Sequence, residues 1–230
     1  MLIDFSRMSY LNTGTIIMDC AAVFLLVGMI VHTSYYRRRG SAADRIFYGM
    51  LIVDIIAALA DGLNFSLERS PHPAAAGLII AGDTVFTMAF ETLCFMLVLF
   101  LDVRAYGFSQ ERRRKWNLYA LPFVITIPVI LGNVFFGYLF TIEPGTIYQY
   151  GGYYNLIFVA PAIYTVLAVI LIARIDRHLV PMFLLMLIVR VYGGNFARGI
   201  SSTPVVFAVG LAYVHIHMMN HTFYEEEVRP

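Results

Sequence analysis

An all-α membrane protein, built as a bundle of seven transmembrane helices, is the fold class this sequence predicts. Three observations carry the prediction. The 230 residues are 60% hydrophobic, with a mean hydropathy of +0.73. Only 13% are charged, about half the share found in a soluble domain. The apolar residues gather in blocks of roughly twenty, the helix length that crosses about 30 Å of hydrocarbon. The net charge of +1 says less than its distribution: of sixteen basic residues Lys115 is the only lysine, and most lie between the blocks.

Apolar segments run over 12–36, 45–66, 78–106, 117–141, 153–174, 181–196 and 201–221. The first is too long for the apolar core of a signal peptide and lacks a basic leader, so it is expected to remain as the first span. The sixth is short and ends at Gly193-Gly194; with the seventh it forms either two spans or one tight helical hairpin. Basic residues concentrate in "YYRRRGSAADR", "SQERRRKW" and "RIDRHL", after the first, third and fifth segments. The alternate connections, "LERSPHPAAAG" and "TIEPGTIYQYGGYY", are nearly free of them. Positive charge stays on the cytoplasmic side, which puts the N-terminus outside and the C-terminus inside. Residues 1–221 then form the transmembrane domain, and 222–230 a cytoplasmic tail or the start of a linker. Tyr35, Tyr36, Trp116 and Tyr119 fall near span ends, where amphipathic rings favour the headgroup level.

Between the fourth and fifth segments, Ile142, Ile147, Tyr148 and Tyr150 flank Glu143-Pro144-Gly145. Pro-Gly signals a turn and the flanks favour strand, so a short extracellular hairpin over the bundle mouth is expected.

Ionisable residues inside a span are costly and face the bundle interior, which makes each a functional candidate. Asp19 lies in the first segment, Asp54 and Asp61 in the second, Asp83 and Glu91 in the third, and Arg190 in the sixth. At 1.5 Å per residue, Asp54 and Arg190 are each about 13 Å from the cytoplasmic end, and Glu91 about 20 Å from the outer one. All three are expected at one level, with Arg190 neutralised by Glu91 or Asp54. Asp54 and Asp61, seven apart, share a helix face, and Asp83, Thr87 and Glu91 make a second stripe. The two stripes are expected to line one cavity that takes a cationic or hydrogen-bond-donating ligand. The ligand-binding set is Asp61, Asn64, Asp83, Thr87, Glu91, Asn133, Tyr148, Tyr150 and Tyr154. The buried ion pair or relay is Asp54, Glu91, Arg190 and Arg198. The competing reading is purely architectural, since polar pairs also hold helices in register. Asp102 and Arg104 read as ordinary charges at a helix end.

Several classes are disfavoured. A retinal pigment needs a lysine in the last span, and there is none. "IAGDT" around Asp83 carries only part of an aspartyl intramembrane protease motif, and no nucleotide-binding motif appears. His217, His221 and Glu225 are spaced by four, but sit where the last span leaves the membrane. Cys20 and Cys94, both in apolar segments, read as small buried hydrophobes. No catalytic constellation, metal, cofactor or nucleic-acid partner is expected.

A family resemblance adds to this. The segments "YGFSQERRRKWNLYALPFVI", "GYLFTIEPGTIYQYGGYYNLIFVAPAIY" and "AVGLAYVHIHMMNHTFYEEE" combine a basic loop, an outer turn followed by Tyr and Gly, and a last helix running into an amphipathic linker. The chain in this respect resembles the N-terminal seven-helix sensor module of bacterial signalling proteins, chiefly Gram-positive. There the module precedes a diguanylate cyclase, histidine kinase or similar output domain. The resemblance implies sensing of a small extracellular ligand, a bacterial plasma-membrane location, and a homodimer or cytoplasmic signalling partner. The residues up to Pro230 contain no output domain, so the relay is expected to run through helices six and seven to a domain or partner beyond them. The alternative is an ion- or proton-coupled transporter or channel subunit, in which the intramembrane acids serve coupling.

Overall fold

The computed structural model describes residues 10–36, 41–143, 147–177, 180–181, 183–184 and 203–227. The chain is an α-helical membrane bundle. Among the described residues the helices are α1 (Tyr10–Tyr36), α2 (Ala42–Leu67), α3 (Ala75–Tyr106), α4 (Gln110–Phe136), α5 (Val159–Ile175) and α6 (Thr203–Glu227). Five of these regions are long and apolar enough to cross a membrane, and the apolar part of α6 covers Thr203–Val214. α6 corresponds to the seventh apolar segment; most of the sixth, with Arg190 and Arg198, lies outside the described residues.

Helix ends follow local chemistry. Ser41 caps α2: its hydroxyl accepts from the Asp44 amide at 3.2 Å, and the Asp44 carboxylate accepts from the Ser41 amide at 3.1 Å. Ser109 accepts from the Arg112 amide at 3.2 Å and starts α4, with Glu111 in its first turn. The basic run expected as a loop, "SQERRRKW", is therefore the opening of a helix. At the other end Gly137, at φ 62°, closes α4 in the left-handed conformation open to glycine. The fourth helix thus ends at Phe136 rather than at 141, and the chain turns into β1 (Phe140–Glu143).

β1 pairs antiparallel with β2 (Ile147–Tyr150), in the register Phe140↔Tyr150 and Ile142↔Tyr148. A 3₁₀ turn, Tyr154–Phe158, leads into α5. α1 begins, α2 ends and α3 begins at the same end of the bundle as this hairpin; we call it the hairpin end, and the opposite one the basic end.

α3 is central, packing against α2, α4, α5 and β1. α1 packs on α2 and α6 along a narrow seam: Asn12, Thr15, Asp19, Ala22, Leu26, Met29 and Thr33 are buried. Their spacing alternates three and four, the a/d pattern of knobs-into-holes packing. The remaining faces are apolar and outward, among them Phe24 (79% exposed) on α1 and Phe135 (83%) on α4. Such surfaces belong against lipid tails and not water.

Candidate functional site

Among the described residues, four separate polar groups punctuate the bundle. The first lies at the hairpin end. Asn133 of α4 is buried, and its side chain serves β1: Oδ1 accepts from the Leu139 and Phe140 amides at 2.7 and 3.2 Å, and Nδ2 donates to the Phe140 carbonyl at 3.1 Å. This holds the hairpin against the bundle. From β2, Tyr148 reaches α3 and donates its hydroxyl to the Asp83 carboxylate. Burial, and then the Asp83 charge, push the Tyr148 phenol above its usual range, so it stays a donor at physiological pH.

Asn64 of α2 lies against the same turn of α3. In one orientation it donates to Asp83 Oδ1 at 3.5 Å. Turned over, it donates to the Ile79 carbonyl at 3.3 Å and accepts from the Asp83 amide at 3.1 Å, which satisfies both ends better. Either way it needs Gly82, where a Cβ would collide with its side chain. Around Tyr148 runs an aromatic ladder. Ring centroids are 5.2 Å apart for Phe140–Tyr148, 5.0 Å for Tyr148–Tyr150, 4.4 Å for Tyr150–Tyr154 and 5.6 Å for Tyr154–Phe158. Tyr π-faces beside a carboxylate suit a cation.

The second group is the α1/α2 seam. Asp54 and Asp61 share one face of α2, as their spacing predicts, but that face meets α1 and brings them near Asp19. Asp19 is only 3% exposed.

The third group is Glu91, fully buried. Its Oε2 accepts from the Thr126 hydroxyl of α4, whose single proton also has the Pro122 carbonyl within reach at 2.9 Å. Next to it the Tyr164 hydroxyl of α5 donates to the Tyr119 carbonyl at 2.9 Å and accepts from the Phe123 amide at 3.0 Å. An uninterrupted helix joins that carbonyl and amide directly; here a side chain stands between them, beside Pro122, which has no amide proton. The two expected stripes thus do not converge on one cavity: Asp54 sits with Asp19 and Asp61, Asp83 with Asn64 and Tyr148, and Glu91 with Thr126. Thr87 is buried between the latter two on α3.

The fourth group was not anticipated. Asp102 is fully buried near the basic end of α3, where sequence position alone suggested an ordinary surface charge. It accepts from Arg112 Nη1 at 3.2 Å, Trp116 Nε1 at 3.1 Å and the Tyr119 hydroxyl at 3.4 Å, all on α4. The Arg112 guanidinium also lies 3.5 Å from the Tyr106 ring centroid. The signal was present in the spacing: Arg112, Trp116 and Tyr119 recur at four and three, one face of a helix. Trp116 and Tyr119, read as interfacial anchors, are ligands of this carboxylate.

An apolar cleft of about 100 Å³ opens between α3, α5 and α6, walled by Cys94, Tyr164, Ala168, Phe207 and Gly210. Cys94 is buried as expected, whereas Cys20 is exposed on the lipid-facing side of α1, off the seam. Among the described residues no three His, Cys, Asp or Glu side chains converge to hold a metal ion. The side chains of His217, His221 and Glu225 lie outside the described set.

In comparisons with protein-family models, curated proteins and solved structures, nothing matches this chain.

Proposed function

We propose that the chain is a bacterial membrane receptor module with seven spans, its hairpin end outside and its C-terminus in the cytoplasm. A small ligand, cationic or aromatic, enters beneath the hairpin and meets Asp83, Asn64 and the Tyr148–Tyr150–Tyr154 ladder. Its binding shifts the last two spans, which carry the change to a cytoplasmic output domain or partner. The observation that supports this reading most is the Tyr148–Asp83 contact, which ties a surface hairpin to an intramembrane carboxylate. A ligand that competes for Asp83 releases the hairpin, giving the two states a receptor requires.

A ligand thermal-shift screen on the full chain, comparing wild type with Asp83→Asn, Tyr148→Phe and Glu91→Gln, tests this. A ligand that stabilises wild type should lose most of its shift in Asp83→Asn and keep it in Glu91→Gln, which lies on the α4 side. Equal shifts in all four proteins contradict the reading. A second reading, an ion- or proton-coupled transporter, draws support from Asp19 and Asp54, whose carboxylate oxygens find no hydrogen-bond partner among the described residues. Substrate accumulation driven by an ion gradient in proteoliposomes selects that reading.

A further inference from the structure

At the hairpin end the α1/α2 seam is polar where a coiled-coil seam is normally oily. α1 contributes Asn12, Thr15 and Asp19, and α2 contributes Asp54 and Asp61 at heptad spacing, with Glu68 one heptad further. The outer end is closed: Asn12 Nδ2 donates to Glu68 Oε2 at 2.6 Å and to the Phe65 carbonyl at 3.3 Å. Deeper in, Asp19 is 3% exposed and Asp54 fully buried, and all four of their carboxylate oxygens lack a hydrogen-bond partner among the described residues. Asp61 has interactions of its own, which leaves Asp19 and Asp54 as the unpartnered pair. The other charged groups in the hairpin-side halves of the packed elements are Glu68 on α2 and Asp83 and Glu91 on α3; Asp44, Arg45, Asp102 and Arg104 lie toward the basic end. The buried residues of α6 near this end, Pro204, Ala208 and Leu211, are apolar.

A buried carboxylate without donors or counter-charge is neutralised by whatever cation can reach it. One observation narrows that cation. No three acidic, His or Cys side chains converge among the described residues, which disfavours a chelated metal ion. The cation that needs no set of converging ligands is the proton. We propose that Asp19 and Asp54 form an intramembrane proton-binding site, filled from the hairpin end past the Asn12–Glu68 closure. The site lies in the α1/α2 seam, whereas the Asp83 contact is made between α2, α3 and the hairpin, so its occupancy and the ligand response are separable.

The test uses the full chain in lipid nanodiscs and dicyclohexylcarbodiimide, a lipid-soluble reagent that modifies protonated buried carboxyls. Peptide mapping should find Asp19 or Asp54 modified at neutral pH, with labelling falling several-fold as pH rises and unchanged when sodium is replaced by an organic cation. No labelling of either residue at any pH overturns the proposal. So does protection by sodium, which assigns the seam to a metal ion. Labelling that appears only in Arg190→Gln also overturns it, by making that arginine the counter-charge. These measurements use wild type or a substitution outside the seam, so they do not depend on seam variants folding. As a second readout, the protonated-carboxyl stretch in the infrared should lose a component in Asp19→Asn and in Asp54→Asn; unchanged spectra in both count against the site.

Discussion

Asp102 shows what a single residue contributes when burial and partners are both known. Its carboxylate is fully buried, while the Arg112 side chain keeps 21% of its surface exposed. Removing either partner is therefore not symmetrical. Arg112→Met leaves a buried charge with only neutral donors and should cost about 3 kcal/mol. Adding Asp102→Asn to that background should recover part of the loss, because no charge then remains to be neutralised. Thermal unfolding in detergent reads both; a double variant as unstable as the sum of the singles contradicts the coupling. The sequence made Asp102 hard to judge because depth along a helix does not reveal facing. Its partners lie across a turn, on a helix whose start at Gln110 was hidden by the basic run "SQERRRKW". Asp54, Asp61 and Glu91 were legible as intramembrane acids from composition alone. Their partners were not, since those depend on which helices are neighbours.

At the scale of elements, the hairpin and α4 illustrate two ways a side chain substitutes for backbone. Asn133 completes the backbone bonding of β1, as a neighbouring strand does, and Tyr164 stands inside the α4 ladder. The hairpin itself was readable in "FTIEPGTIYQYGGYY", because Pro-Gly punctuation and alternating Ile and Tyr are local signals. Its anchor was not, because Asn133 looks equally like a ligand-binding amide. Asn133→Ala removes three hydrogen bonds to the Leu139 and Phe140 backbone at the start of the hairpin and should destabilise it by about 2 kcal/mol. Limited proteolysis should then cut faster within 138–153 while helicity stays constant. Unchanged cleavage would mean that the aromatic ladder alone holds the strands. The heptad seam of α1 was equally present in the sequence, at 12, 15, 19, 22, 26, 29 and 33. Its apolar exterior masked it: hydropathy reports that a helix spans lipid, whereas burial picks out the one stripe that does not face it.

For the whole molecule, length and apolarity were sufficient to read a helical membrane bundle, and five described helices have the dimensions to cross. Orientation is a different kind of inference, drawn from Arg-rich connections on one side and a hairpin on the other. It matters to the receptor reading more than any single contact, because a ligand site under the hairpin senses the exterior only if that end faces out. Single cysteines in a Cys20→Ser, Cys94→Ser background measure it directly. Gly152→Cys suits the hairpin end, since a Cβ there meets nothing within 4 Å. Arg177→Cys suits the basic end, where the residue is exposed. With a membrane-impermeant maleimide on intact cells, Gly152→Cys should be labelled at once and Arg177→Cys only after permeabilisation. Labelling of Arg177→Cys in intact cells, with Gly152→Cys protected until permeabilisation, would contradict that orientation.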